Sequence, residues 1–179
     1  MAKAPEKMDA IALLKADHRK VEELFAKFES AKGAERKREI AEQICTELVV
    51  HSTIEEEIFY PACKGAAEED KLDEAYVEHD GAKVLISEIA SGEPDDEFYD
   101  AKVKVLSEMI KHHVKEEEKP GEGLFAKARA AGLDLAELGQ QLATRKEELM
   151  AAIKTDGLPN PETRSFTGHT LVQGAPVAG

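Results

Sequence analysis

Apolar residues recur at alternating steps of three and four along most of the first 119 positions, and this spacing predicts helices that each bury one face. Four such segments occur, at about 8–31, 35–63, 69–91 and 96–119. Glycine or proline follows each segment and predicts where the helix ends. In the first segment the apolar face runs through Ile11, Leu14, Val21, Phe25 and Phe28.

The connections between the four segments are short, so neighbouring helices are expected to run antiparallel. The predicted fold is all-α: an up-down-up-down antiparallel four-helix bundle with an additional C-terminal helix. In this prediction residues 1–127 form the bundle, 128–155 an accessory amphipathic helix, and 156–179 a flexible tail that contains His169. The accessory helix either packs across the bundle, which is the favoured alternative, or pairs with another chain.

The composition narrows the possible partners. The 179 residues carry a net charge of −13, which argues against a nucleic-acid partner, because such partners are met by clustered lysines and arginines. No apolar run is long enough to span a membrane and no signal peptide is evident, so a cytoplasmic protein without a membrane partner is expected. Cys45 and Cys63 fit no CxxC or zinc-ribbon spacing and are interpreted as reduced packing residues. The oligomeric state is left open.

One histidine interrupts the apolar face in each of the four helices. These positions hold His18, His51, His79 and His113. Counted at about 1.5 Å per residue from the predicted helix ends, His18 and His51 lie at about the same height. Glu55 and Glu117 each follow a histidine by four residues, which places them on the same helix face one turn later. Four imidazoles and two carboxylates are too polar to remain unpaired in a bundle core, so the pattern predicts a metal site.

The donor set indicates the class of metal. All six donors are nitrogen or oxygen, which suits iron, manganese or zinc, whereas structural zinc closes at four ligands that usually include cysteine. Six ligands with two carboxylates fit two metal ions better: two histidines would bind each ion, and Glu55 and Glu117 would bridge both. Such an arrangement leaves coordination positions open for a diatomic molecule, peroxide, water or an oxo bridge.

The fourth helix offers a second histidine as an alternative ligand. His112 is also followed by a glutamate four residues later, Glu116. The apolar face that contains His113 is stronger than the one that contains His112. We therefore favour His113 as the inward residue and interpret His112 as an outer or solvated side chain.

Four further polar residues lie near the predicted site. They are Asp17, Glu22, Tyr76 and Glu78. Tyr76 could reach the site from one turn before His79, although plain packing is favoured. Glu22 is interpreted as a surface or outer carboxylate rather than a ligand. Asp17 and Glu78 could hold imidazole N–H groups, but the sequence favours a solvated position for both.

The order of these motifs, H…HxxxE…H…HxxxE, resembles the hemerythrin-like, or HHE cation-binding, family. The segments that carry the resemblance are Asp17-His18, HSTIEEEIFYP at 51–61, Glu78-His79-Asp80 and HHVKEEE at 112–118. The resemblance covers about residues 8–127 and implies a four-helix bundle around a non-haem di-iron centre. It implies two iron ions, joined by an oxo or hydroxo bridge, with His18, His51, Glu55, His79, His113 and Glu117 as ligands.

The chain departs from the oxygen-carrying hemerythrins at two positions. Those carriers have a second histidine four residues after the first on the third helix, where this chain has Lys83, and an aspartate where it has Glu117. The expected function is therefore the binding of O2, NO or peroxide, in sensing or in oxidative or nitrosative stress handling, rather than oxygen transport. A di-iron enzyme that turns over peroxide or repairs iron centres, and iron storage, are the alternatives, so enzymatic activity is left open.

Overall fold

The computed structural model describes residues 8–168 and 174, and its regular elements are helices. Its elements are α1 (Ala10–Ser30), α2 (Ala34–Ile54), a π-helix (Glu55–Phe59), α3 (Tyr60–Cys63), α4 (Glu69–Ser91), α5 (Tyr99–Glu117), α6 (Leu124–Ala130) and α7 (Leu135–Asp156). No strand occurs among these residues, which confirms the all-α prediction. His169 lies outside the described residues.

Four long helices surround the core. Helix α1 packs against α2 and α5, and α4 packs against the same two neighbours, so the four close into a bundle. Local chemistry fixes where α1 begins: the carboxylate of Asp9 accepts a hydrogen bond of 2.8 Å from the amide of Ala12. Such a cap satisfies a backbone donor that the first helical turn leaves unpaired. The predicted helical bundle is confirmed.

The core consists of two apolar clusters with a polar layer between them. One cluster includes Val21, Phe25, Leu48, Ile86 and Leu106, and the other includes Leu14, Ile54, Phe59, Leu72 and Phe125. Both predicted packing cysteines are buried, unpaired thiols, Cys45 in the first cluster and Cys63 in the second. Burial raises the pKa of both thiols to about 12, so neither is a reactive thiolate near neutral pH.

Two helix boundaries differ from the sequence-based prediction. The segment predicted as one helix at 35–63 is interrupted by the π-helical turn after Ile54. The helix predicted to begin at position 96 begins at Tyr99 instead. The reason is that the carboxylate of Asp96 accepts a hydrogen bond of 2.7 Å from the amide of Glu93 and so holds a turn before the helix.

Helix α7 packs across α1 and α2 of its own bundle, as the favoured alternative requires. Leu142 on its inner face is fully buried. On either side of that contact, Lys146 pairs with Asp17 and Arg145 pairs with Glu57. None of the helices within the described residues is long and apolar enough to cross a membrane.

Candidate metal centre

The six residues that the sequence predicts as a metal site lie together in the polar layer of the bundle. They are His18, His51, Glu55, His79, His113 and Glu117, and none is more than 6 % exposed. Each of the four long helices supplies one imidazole. The two carboxylates come from the start of the π-helix and from the end of α5. Apolar residues on the same helix faces, such as Leu14 and Val21 around His18 and Leu48 and Ile54 around His51, hold these polar side chains inside.

The imidazoles form two facing pairs. Nε2 of His18 lies 3.1 Å from Nε2 of His51, and Nε2 of His79 lies 3.1 Å from Nε2 of His113. Two nitrogen ligands at about 2.1 Å from one ion and at right angles to each other are about 3.0 Å apart. Each pair therefore has the spacing of two ligands of one ion, and together the pairs define two candidate metal positions.

The two glutamates connect these pairs. Oε2 of Glu55 lies 3.2 Å from Nε2 of His51 and 3.4 Å from Nε2 of His79. Oε2 of Glu117 makes the equivalent contacts, at 3.4 and 3.6 Å, with the remaining imidazole of each pair. Each carboxylate thus contacts one imidazole from each pair, which is the placement of a bridging ligand in a di-metal bundle.

Two carboxylate oxygens of the site have no hydrogen-bond partner among the described residues. They are Oε1 of Glu55 and Oε2 of Glu117, both shielded from solvent. A buried acceptor without a partner costs on the order of 1–3 kcal/mol, and more when it is charged. Cations between the facing imidazoles would satisfy these oxygens, so the donor set and its unpaired atoms fit a metal centre.

In the metal-free protein two of the imidazoles hold a second proton. Burial favours the neutral ring, but the carboxylates of Glu55 and Asp17 raise the pKa of His51 to about 10. Glu55 and Glu56 raise the pKa of His79 to about 9 against the same effect of burial. Burial also raises the pKa of Glu55, yet the two rings outweigh it and keep that pKa well below its ordinary value. A bound metal ion would take the place of these protons.

A π-helical turn continues α2 at the site. The amide of Tyr60 donates to the carbonyl of Glu55, five residues earlier. In an α-helix, residues five apart differ by about 140° in direction, whereas the wider π turn brings them closer to one face. The turn therefore allows the Glu55 carboxylate and the Tyr60 hydroxyl to point into the same site.

Tyr60 adds a hydroxyl group between the ligand atoms. Its oxygen lies 2.9 Å from Oε1 of Glu117 and 3.2 Å from Oε2 of Glu55. Nε2 of His79 and Nε2 of His113 are 3.2 and 3.4 Å away. Burial and the charges of Glu117 and Glu55 raise the pKa of Tyr60 well above its ordinary value, so the phenol keeps its proton.

The sequence suggests Tyr76, not Tyr60, as a tyrosine that could reach the site. The ring of Tyr76 packs edge-on against the ring of Tyr60, with centroids 5.4 Å apart. Packing, the favoured interpretation of Tyr76, agrees with this contact, and the tyrosine that reaches the ligand atoms is Tyr60. The sequence contains a weak signal for it: Tyr60 follows Glu55 by five residues, a spacing that becomes inward-facing only in a π turn.

A second set of carboxylates faces the other nitrogen, Nδ1, of each imidazole. The distances from Nδ1 to the nearest carboxylate oxygen are 2.8 Å for His18 and Glu118, 3.6 Å for His51 and Asp17, 3.0 Å for His79 and Glu56, and 2.7 Å for His113 and Glu78. At His18, His79 and His113 the carboxylate accepts a hydrogen bond from Nδ1, which keeps a proton on that nitrogen and leaves Nε2 to bind a metal. At His51 the separation from Asp17 is too long for a hydrogen bond and is a charge contact. The solvated position that the sequence favours for Asp17 and Glu78 is wrong, because both belong to this outer set.

Each outer carboxylate is adjacent in sequence to a ligand residue but contacts an imidazole on the next helix. Asp17, for example, precedes His18 on α1 and faces His51 on α2. The other outer carboxylates, Glu56, Glu78 and Glu118, repeat this relation around the bundle. An acidic residue beside each ligand position is therefore the sequence signal for the outer set, and the contacts tie the four helices together at the site.

A small apolar cavity adjoins the four imidazoles. Its volume is about 20 Å³, and the aliphatic side chains that line it are Val21, Leu48, Ala82, Ile86, Ile110 and Val114. A water molecule needs about 10–15 Å³ of such space, so the cavity suits a molecule of one or two heavy atoms. The ring of Phe125 from α6 stacks on His18 with centroids 5.7 Å apart and covers that imidazole.

The two remaining residues that the sequence placed near the site, His112 and Glu22, lie outside the metal centre. The side chain of His112 is 61 % exposed and its Nε2 lies 3.2 Å from Oε1 of Glu78, so His113 is the inward histidine of α5. Glu22 pairs with Arg19 at 3.3 Å on the surface, which agrees with its interpretation as a surface carboxylate.

Comparisons with known proteins agree with this fold and with a cation-binding domain. The hemerythrin HHE cation binding domain family matches residues 9–128. A relative from Nostoc sp. that is named DNA nickase is 29 % identical over 117 residues, which is 65 % of this chain and 32 % of that protein. The chain therefore spans about a third of the length of that relative.

A solved structure has a similar fold. It is the crystal structure of a hemerythrin HHE cation binding domain-containing protein from Mycobacterium kansasii, with a TM-score of 0.70 and 23 % identity, covering 84 % of this chain and 95 % of that one. The likeness shows the bundle fold, and the family match covers the four helices that carry the buried histidines and glutamates. This chain belongs to the hemerythrin HHE cation-binding domain family.

Proposed function

We propose that this protein holds two iron ions on the six inward side chains and binds a small ligand, O2, NO or peroxide, beside them. The observation that carries the proposal is the presence of two facing imidazole pairs joined through two buried carboxylates. The donors are nitrogen and oxygen without a thiolate, a set that suits iron in a carboxylate-bridged bundle. When bound, iron would supply redox-active positions at which a small ligand can bind.

The six residues divide between the two ions according to their contacts. His18 and His51 would hold one ion and His79 and His113 the other, with the two glutamates shared. At His18, His79 and His113 the outer carboxylates would keep a proton on Nδ1 and orient the Nε2 lone pair inward. Because all six of these side chains are buried, the protein holds them in place before a metal ion binds. Only the protons on the imidazoles would have to leave.

The apolar cavity beside the imidazoles favours small ligands over larger substrates. Its volume of about 20 Å³ accommodates a diatomic molecule or peroxide but no organic substrate. Aliphatic side chains supply most of its surface, although Asp17, Ser52 and Lys83 also border it, and this mostly apolar surface disfavours bulk water there. Because the cavity favours such small ligands, we infer a role in sensing or in oxidative or nitrosative stress handling.

Anaerobic loading with ferrous iron, followed by stopped-flow mixing with O2, NO and peroxide, tests the proposal. We expect about two irons per chain and a spectral change with at least one of the three ligands. The matched pair of variants is His113→Ala, which removes an inward imidazole, and His112→Ala, which removes an exposed one. The spectral change should be lost in the first and kept in the second. Failure to take up iron, or the same spectral change in both variants, would contradict the proposal.

Tyr60 favours a second candidate function, the turnover of hydrogen peroxide. Two peroxide molecules would yield one O2 and two water molecules, so no further reactant is needed. The hydroxyl of Tyr60 keeps its proton and lies 2.9 Å from Oε1 of Glu117, so its O–H can donate a hydrogen bond to peroxide bound at the site. The Tyr60→Phe variant should keep its iron and consume peroxide about 100-fold more slowly. An unchanged rate at equal iron content would exclude this role of Tyr60.

The name of the Nostoc relative raises DNA as a possible substrate. The matched part is 32 % of that protein, and this chain has a net charge of −13, which opposes the approach of a polyanion. We therefore propose that the protein has no nucleic-acid partner. Mixing it with supercoiled plasmid and with duplex DNA should give neither a nicked product nor a mobility shift, and either result would contradict this expectation.

A further inference from the structure

Lys83 is a buried lysine beside the candidate metal centre. Its side chain is 7 % exposed, and its ammonium group lies 2.7 and 3.0 Å from the two carboxylate oxygens of Glu56. Lysine is almost never buried without a partner, because transfer of its charge out of water is costly. Lys83 lies four residues after His79, on the same side of α4, but its ammonium group binds the outer carboxylate and not the ligand atoms.

Glu56 links this lysine to a predicted metal ligand. Its Oε1 lies 3.0 Å from Nδ1 of His79 and accepts a hydrogen bond from Lys83 at the same time. Glu56 is itself buried. The ammonium group thus holds the carboxylate in one orientation while that carboxylate accepts the imidazole N–H.

Asp80 extends these contacts to the C-terminal tail. Its Oδ1 lies 3.3 Å from the ammonium group of Lys83. Its Oδ2 accepts three hydrogen bonds from the tail: 2.8 Å from the amide of Arg164, and 2.6 and 2.7 Å from the amide and hydroxyl of Ser165. Nε of Arg164 also lies 3.3 Å from Oε2 of Glu56. Asp80 is 1 % exposed, so this part of the tail covers it.

The outer carboxylates of the other imidazole pair, His18 and His51, contact other parts of the chain. Asp17, which faces His51, pairs with Lys146 of α7. On the His79 side, Arg164 contacts the outer carboxylate of Glu56, and both Arg164 and Ser165 contact Asp80. These two tail positions lie beyond the family match at 9–128. The link therefore joins the part of the chain that the family matches to a segment outside that match.

We propose that Lys83 is a positioning residue for His79, and that tail residues 164–165 hold it in place through Asp80. The proposal rests on the metal-binding function proposed above. Lys83 holds the Glu56 carboxylate turned toward Nδ1, so that the His79 ring presents the Nε2 lone pair to the metal position on its side. The C-terminal tail thereby controls how tightly one of the two ions is held, while the ion on the opposite side does not depend on it.

Cobalt titration of the full 179-residue chain and of its Lys83→Met variant tests this inference. Competition with a chelator gives an association constant for each ion. The unsubstituted protein should bind two cobalt ions, and the variant should bind one of them about 10- to 100-fold more weakly while the other is unchanged. Lys71→Met is the matched control, since it makes the same substitution at a half-exposed position of α4 and should change neither constant.

Imidazole N–H signals identify the affected ion. In cobalt-loaded protein labelled with ¹⁵N-histidine, each metal-bound ring should give a paramagnetically shifted Nδ1–H resonance. In Lys83→Met the resonance of His79 should exchange faster with water or disappear, while those of His18 and His51 remain. A general loss of stability would change all of these signals together.

A tail variant keeps the test independent of core folding. Ser165 is exposed, and Ser165→Ala removes one of the three hydrogen bonds on Oδ2 of Asp80 while both amide donors remain. It should weaken the same ion as Lys83→Met, by less than about 10-fold. Asp80→Asn, which keeps the shape of the side chain and removes its charge, should have an effect between the two.

The outcomes separate this inference from the metal-binding function. If the unsubstituted chain binds two ions and neither Lys83→Met nor Ser165→Ala alters an affinity, the positioning role is overturned and the metal site stands. Equal weakening of both ions in Lys83→Met also overturns it, because the effect would then be general. If the unsubstituted chain binds no cobalt, the metal-binding function fails and this inference fails with it.

Discussion

Metal binding near pH 7 should release about two protons per chain. In the metal-free protein the pKa of His51 is about 10 and the pKa of His79 is about 9. At pH 7 a group with a pKa of 9 is about 99 % protonated, and one with a pKa of 10 more so. Both rings must lose a proton before Nε2 can bind a metal ion, so the two pKa values set the expected count.

The same two values predict how affinity depends on pH. Below about pH 9 each unit of pH should raise the overall association constant about 100-fold, because two protons compete with the metal. Between about pH 9 and 10 the increase should be about tenfold per unit, and above that the affinity should level off. Metal affinity should therefore increase as pH rises. The stability of the metal-free protein is expected to decrease over the same range.

Calorimetric titration with Co²⁺ in two buffers of different ionisation enthalpy measures the proton count. Cobalt avoids the oxidation that complicates ferrous iron. His112→Ala is the matched control, because it removes an exposed imidazole and should release the same number of protons as the unsubstituted chain. A release of less than about one proton per chain would refute the reasoning, since it would show that His51 and His79 are already neutral before metal binds.

The metal-free protein should become less stable as pH rises from about 6.5 to about 10, because the raised pKa of His51 stabilises the fold only while its ring is protonated; thermal unfolding at several pH values checks this, and a flat profile would contradict it. The His113→Ala variant should lose the ion at its position, whereas His112→Ala, whose side chain is 61 % exposed, should keep its metal content; equal losses measured by elemental analysis would undo the assignment of the inward histidine. Leu142→Ala should lower the free energy of unfolding by about 2–5 kcal/mol in chemical denaturation, because Leu142 is fully buried between α7 and the bundle, and a change below about 1 kcal/mol would show that α7 does not pack on the bundle.

The helices and the inward residues could be predicted from the sequence because a helix with one buried face places every third or fourth residue inside. A histidine on such a face, as at His51, has apolar neighbours one turn away in both directions, and this contrast marks it as unusual. Glu55 could be assigned to the same site because four residues correspond to one helical turn. These inferences need only the local geometry of an α-helix.

The contacts that the sequence left open depend on geometry beyond one regular helix. Tyr60 enters the site through a π turn, which changes the direction of every residue after it relative to an α-helix. Glu56 and Glu78 contact imidazoles on the neighbouring helix, so their roles depend on how the bundle packs. Asp80 meets Ser165, 85 positions later in the chain, and no periodicity connects residues so far apart.

The central claim is that six buried side chains hold two metal ions, and metal analysis of the protein tests it most directly. After purification under anaerobic conditions and loading with excess ferrous iron, the account predicts about two irons per chain. The His79→Gln variant should retain about one, on the opposite imidazole pair. A single tightly bound zinc per chain, or two irons retained in His79→Gln, would contradict the account.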